Sequence, residues 1–231
     1  MKRVLLSVVV LALSGITAQA QNAKTIANSG GTTFGLKAGI NFQNIYGDDE
    51  DGNKLDGSLA MKWNAGVNAE IPVATDFYFQ PGLTIGTKGA KFKLGANNVA
   101  LNLYYLDIPM NFIYKPLVGN GHVMLGFGPY IGFGIGGKVI LENGNNDIES
   151  DVEYRNKVSI ADKASATTFY KRMDAGANIL AGYEFSNRIS FQVNSQIGLA
   201  NISPEYEGVS SSKEKTKHIG FGLSLGYRFG R

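Results

Sequence analysis

The sequence predicts an all-β fold: an eight-stranded antiparallel up-and-down transmembrane β-barrel. Three observations carry that prediction. Bulky apolar residues alternate with small or polar ones in eight separate stretches, the pattern of strands with two unlike faces. The links between the stretches are alternately short and long, as they are in a sheet that meanders back and forth. The apolar face also gathers its aromatic residues beside the short links, where a membrane interface would lie. Closing such a meander into a ring removes both edges, whose backbone groups would otherwise stay unpaired.

The first strand is read over 33–43, with Phe34, Leu36, Ala38, Ile40 and Phe42 opposite Lys37, Gly39 and Asn41. The second (62–73) sets Trp63, Val67 and Ile71 against Asn64, Asn68 and Glu70. The third (77–94) sets Phe77, Phe79 and Leu83 against Gln80, Thr84 and Lys88. In the fourth (101–116), Leu106, Ile108, Phe112 and Tyr114 oppose Asp107, Asn111 and Lys115. The fifth (122–139) sets Leu125, Phe127, Ile131 and Ile135 against a row of glycines. The sixth (169–185) sets Ala175, Ile179, Tyr183 and Phe185 against Asp174, Asn178 and Glu184. The seventh (188–201) sets Phe191, Val193 and Ile197 against Gln192, Asn194 and Gln196. The eighth (218–231) reads HIGFGLSLGYRFGR and alternates large apolar residues with Gly, Ser and Arg228. The short links are ATD (74–76), VGNG (118–121) and SN (186–187); the long ones span about 44–61, 95–100, 140–168 and 202–217. Pro81, Pro109 and Pro129 fall inside these strands. Proline cannot donate to a ladder, so bulges or strand ends are expected there.

The polar face carries Lys37, Glu70, Lys88, Asp107, Glu184 and Arg228 among glycines, amides and hydroxyls. A soluble barrel of the lipocalin kind would hold an apolar cavity. A narrow eight-stranded barrel instead has room inside for small groups and a few paired charges. The polar face therefore points inward, and its three cations and three anions form a structural network, since an unpaired buried charge is costly. The apolar row points to lipid. Phe77, Phe79, Phe112, Tyr114, Tyr183, Phe185, Phe191, Tyr227 and Phe229 then form a periplasmic-side aromatic girdle. Trp63, Phe42, Tyr104 and Tyr170 are expected to form a looser ring at the other level.

The N-terminus reads as a processing signal. Lys2 and Arg3 precede the short apolar run VLLSVVVLAL, and Ala18-Gln19-Ala20 is a small-residue cleavage site before Gln21. The run is too short for a membrane-spanning helix, which needs about 20 apolar residues. The expected organisation is a signal peptide over 1–20, a flexible mature N-terminus over 21–32 and an outer-membrane barrel domain over 33–231. With no cysteine in 231 residues, disulfides, lipid attachment at a cysteine, thiol nucleophiles and cysteine zinc sites are excluded. A net charge of +3 is too balanced to point to nucleic acid.

FQPGLTIGTKGAKF (79–92), YYLDIPMNFIYK (104–115), LGFGPYIGFGIGGKV (125–139), MDAGANILAGYEFS (173–186) and the terminal LGYRF (225–229) resemble the small outer-membrane β-barrel family common in Bacteroidota. That family is often labelled porin-family and is similar in architecture to the OmpA and OmpX barrels. The resemblance covers nearly the whole mature chain. It implies an outer-membrane location in a Gram-negative envelope and insertion by the barrel-assembly machinery, and little about activity. The tail departs from the family pattern, because Gly230 and Arg231 follow the terminal aromatic Phe229.

Motifs for chemistry are weak. Gly132 to Gly137 match GxGxxG, but a dinucleotide site needs a helix to follow, and here the glycines alternate with lipid-facing residues. GDDEDGNKLD (47–56) lacks the acidic first and twelfth positions of a calcium loop and reads as an acidic solvated loop. His122 lies beside a short turn; His218, near Ser210, Ser211 and Ser212, is placed at the outer rim and is the one candidate for nucleophilic catalysis. A surface histidine is the plainer expectation, so no enzyme activity, cofactor or metal is assigned. The expected role is structural or surface-interacting, through loops 140–168 and 202–217, which could meet an extracellular ligand or protein. The alternative is a narrow channel for small solutes, with a rim enzyme or a soluble ligand-binding barrel behind it.

Overall fold

The first and last strands pair with each other, and that contact closes the ring. In the computed structural model, Phe34 lies opposite Phe229 at one end of this ladder and Asp48 opposite Lys215 at the other. The eight barrel strands are β1 (Thr33–Asp48), β2 (Ala60–Ala74), β3 (Phe77–Lys88), β4 (Asn97–Tyr114), β5 (Gly121–Glu142), β6 (Met173–Glu184), β7 (Ile189–Gly198) and β8 (Lys215–Phe229). Each pairs antiparallel with its neighbours in sequence. The structure describes residues 31–95, 97–142, 147–159, 162, 167–207 and 214–230. The expected signal peptide, most of the polar N-terminal stretch and Ser210, Ser211 and Ser212 lie outside the described residues.

The alternation sorts the two faces as expected. Along β8, Ile219, Phe221, Leu223, Leu225, Tyr227 and Phe229 are exposed on the outer wall, while His218, Gly220, Gly222 and Ser224 are buried inside. The close approach of neighbouring strands explains the small inward residues. A Cβ on Gly128 would sit 2.0 Å from the carbonyl oxygen of Met110, where no side chain fits.

The expectations for the prolines, for the end of the third strand and for Tyr170 are corrected. Pro81, Pro109 and Pro129 are neither bulged nor terminal. Pro81 stands opposite Met110, Pro109 opposite Tyr130 and Pro129 opposite Ala177, all within continuous register. Pairing lapses between Pro81 and Thr84 and between Pro109 and Phe112, so the barrel gives up a rung instead of inserting a residue. The register shifts lie elsewhere, between Pro72 and Ala74 and between Tyr104 and Tyr105.

The third strand stops at Lys88 instead of running to 94, because Gly89 takes a φ of 131° that breaks the extended line. The short strand Lys91–Leu94 then folds back on the start of β4, so the link expected over 95–100 is largely a hairpin.

The segment 140–168 is not one loop. Ile148–Tyr154 pairs with the top of β5, and Thr168–Tyr170 pairs parallel with Val152 to Tyr154. These additions build a cap over the loop end of the barrel. Its core is Ile45, Ala90, Leu101, Leu103, Tyr105, Val152 and Ile202, with Phe92, Tyr154 and Tyr170 packed against it. Tyr170 thus belongs to the cap core and not to an outer aromatic ring.

Candidate functional site: the lumen and its cap

At the short-turn end, inward positions of β2, β3, β6 and β8 converge with Lys115, the residue just past β4. The Lys115 ammonium donates to Glu70 and to Glu184, each at 2.8 Å. Arg228 donates to Glu70 at 2.6 Å and to Asn68 at 2.6 Å, and its Nε lies 3.8 Å from Glu184. Gln80 donates to Glu70 at 3.0 Å. Two carboxylates and two cations are therefore paired and buried, with Ile113, Met124 and Leu180 packed together as an apolar cluster. At this level the described inward side chains Glu70, Lys115, Glu184 and Arg228 are buried.

Toward the loop end a second cluster forms. The Lys88 ammonium lies 3.0 Å from Asp107 and 2.9 Å from Asp174. It also stands over the rings of Tyr105 and Tyr130, 4.8 Å and 4.5 Å from their centroids, an attraction that is stronger away from water. The same Asp174 oxygen accepts from the Tyr130 hydroxyl at 3.0 Å and faces His218 Nδ1 at 3.1 Å. His218 is fully buried, edge-on to Tyr105. This corrects the expected rim position. β8 begins at Lys215, so position 218 is already inside the barrel, in phase with Gly220.

Of the six charges expected to form one network, Glu70, Glu184 and Arg228 meet at one level, and Lys88 and Asp107 at another. Lys37 joins neither cluster by an ion pair among the described residues. Lys115, Asp174, His218, Tyr105 and Tyr130 complete the two clusters. Lys115 and Asp174 stand at inward positions of the same alternation, and Tyr130 lies in phase with the glycine row of β5. The signal was present, but the partners across the lumen were not visible in one strand at a time.

The girdle residues pair on the outer wall at the short-turn end: Phe77 with Tyr114, Phe79 with Phe112, Phe112 with Phe127, Tyr183 with Phe185 and Tyr227 with Phe229. Phe34, opposite Phe229, belongs to the same level. At the other level Phe42 stacks on Phe221, and Trp63 is exposed on the wall. The stretch Gly132 to Gly137 is strand throughout. Gly134 lies beneath the Tyr154 ring, where a Cβ would approach ring atoms at 2.3 Å.

The acidic loop folds around Asp49. Its carboxylate accepts backbone N–H groups of Asp51 and Asn53 at 3.0 Å and 2.8 Å, and the Asn53 amide at 3.2 Å. The hydrogen bonds from Asn53 lead in holding that carboxyl below its usual range. The cap carries charge pairs on its surface: Lys138 with Glu149, Arg155 with Glu153 and Asp162, and Lys171 with Glu205.

The family described as outer membrane protein beta-barrel domain matches residues 19–203 of this sequence. No curated protein matches it. Among solved structures it is similar to Ail, the attachment invasion locus protein of Yersinia pestis, with 13% identity and a TM-score of 0.42 over 87% of this chain and 100% of that one. It is also similar to Neisserial surface protein A, with 11% identity and a TM-score of 0.41 over 87% and 100%. A major outer membrane protein from Thermus thermophilus gives 16% identity and a TM-score of 0.40 over 86% and 99%.

Proposed function

This chain belongs to the outer membrane protein β-barrel domain family, and from that premise we propose that it is a closed anchor whose loop end meets a partner outside the cell. The observation that carries this reading is the filled lumen. Two ion-pair clusters and an apolar plug occupy the space a channel would need, while the loop end has a packed core of its own. Rigid scaffolds with structured loops are where binding residues collect.

In this reading outer-membrane lipid surrounds the wall, the barrel-assembly machinery inserts it, and the termini and short turns face the periplasm. Segments 140–168 and 202–217 present the surface that an extracellular ligand or protein contacts, and nucleic acid is not among its partners. The protein catalyses no reaction. Export uses a signal peptide cleaved between Ala20 and Gln21, leaving a flexible N-terminus over 21–32 before the barrel. The test is conductance of the purified protein in planar bilayers. No steady current is expected; a stable ohmic current would favour the narrow channel instead. Trypsin added to intact cells should cut within 142–157, and protection there would invert the orientation.

A further inference from the structure

Lys215 and Lys217 stand on the outer side of β8, in phase with Ile219 and Phe221. Neither has an ion-pair partner among the described residues, whereas Lys138, exposed on β5, is held by Glu149. Asp48, opposite Lys215, is engaged by Lys54 at 2.7 Å. The wall below the two lysines is apolar and then recessed. Under the stacked Phe42 and Phe221 come Ile40 and Leu223, and under these Ala38 and Leu225. Ala38 also faces Ala65, so alanine methyls floor a recess of about 700 Å³ edged by Leu36, Val67, Ile85 and Tyr227. A second groove, of about 310 Å³, shares Ala38 and Leu225 and runs up past Ile40 and Leu223.

We infer that this seam between β8 and β1 is a binding site for one anionic, phosphate-bearing acyl lipid of the outer leaflet, with its phosphate at Lys215 and Lys217 and one tail in the recess. The depths agree. At about 3.4 Å per residue and a strand tilt of about 40°, the drop from Lys217 to Leu225 is about 20 Å. Half of the hydrocarbon core is about 15 Å, and the headgroup layer above it is about 5–7 Å thick. A recess at the midplane therefore sets the lysines at headgroup level, where each attracts negative lipid. The alanine floor carries no hydrogen-bonding side chain, which suits hydrocarbon. A second copy does not fit: across a two-fold axis the recess would meet itself and leave its floor bare. Only the choice of leaflet rests on the orientation given above; the site itself does not depend on whether the lumen conducts.

Trp63 is the single tryptophan of the chain and is exposed on the wall beside the recess, one outward position above Ala65. The full protein is refolded into phosphatidylcholine vesicles that carry a tail-brominated lipid, either phosphatidic acid or phosphatidylcholine, and quenching of Trp63 is read against mole fraction. Brominated phosphatidic acid should reach half-maximal quenching at a mole fraction about twentyfold lower, since two lysines each favour negative lipid by a factor of about five. Lys215→Gln with Lys217→Gln should bring the two curves together, and Ala38→Leu with Ala65→Leu should lower the plateau of the anionic curve. Coincident curves in the unaltered protein would overturn the inference and leave ordinary boundary lipid. A preference that survives loss of both lysines would overturn it, because the headgroup would then sit elsewhere; an unchanged plateau in the alanine variant would do the same for the tail. Weak quenching by both lipids would mean that a second copy covers the recess, and loss of the preference in inorganic phosphate at constant ionic strength would mean a soluble ligand; either result overturns it too.

Discussion

The two charge clusters of the lumen are built on different plans. At the short-turn end, Lys115 bridges Glu70 and Glu184, and Arg228 backs both. Every charge there has more than one partner. At the loop end, three donors converge on one oxygen of Asp174; its other oxygen and His218 Nε2 have no partner among the described residues. The first cluster shares its load; in the second, Tyr130 and His218 rely on one oxygen of Asp174, and Lys88 has a second acceptor in Asp107. Two buried networks of similar size should therefore respond very differently to loss of one member.

Asp174→Ala should show the largest effect. It strips Lys88, Tyr130 and His218 of a shared acceptor, and removing one partner of a buried pair costs about 3–5 kcal/mol. The gel-shift midpoint should fall steeply, and the cap should become protease-sensitive, because Tyr105 belongs to both the cluster and the cap core. Glu70→Ala and Arg228→Ala should each lower the midpoint less, since Glu184 remains for the surviving cations. If neither substitution changes thermal stability, the structural role of that cluster is wrong. Lys115→Met combined with Glu184→Leu should cost less than Lys115→Met alone, because Glu70 and Arg228 keep each other at 2.6 Å; a double-mutant cycle reads the coupling. Gly134→Ala should push the Tyr154 ring aside and destabilise by about 1–3 kcal/mol, the usual cost of overpacking. Lys54→Ala should change nothing measurable, because its pair with Asp48 is solvated.

How much of this was legible in the sequence follows from what alternation encodes. A period of two states which side chains share a face, and it placed Glu70, Lys88, Asp107, Glu184 and Arg228 inside. It says nothing about height, so it could not show that these charges separate into two levels or that Lys37 stands between them. It placed Lys115 and Asp174 on the polar face without giving them partners, because those partners lie across the ring. His218 falls at a boundary: the alternation alone ends the long link at 217, whereas the ladder already begins at Lys215. The cap was the least legible part. Its parallel pairing of Thr168–Tyr170 with Ile148–Tyr154, and the insertion of Ile202 into its core, join segments with no shared local pattern.

The pairing of Phe34 with Phe229 sets the timing of assembly. The N-terminal strand cannot acquire its second neighbour until the last residues of the chain have arrived. Contacts so distant along the sequence form slowly, because loop-closure entropy must be overcome before they contribute. Until then β1 presents a bare edge to any other strand it meets. The protein therefore has an obligate waiting period, in which an early-made strand needs shelter, and a stop codon anywhere before β8 would leave that edge open for good.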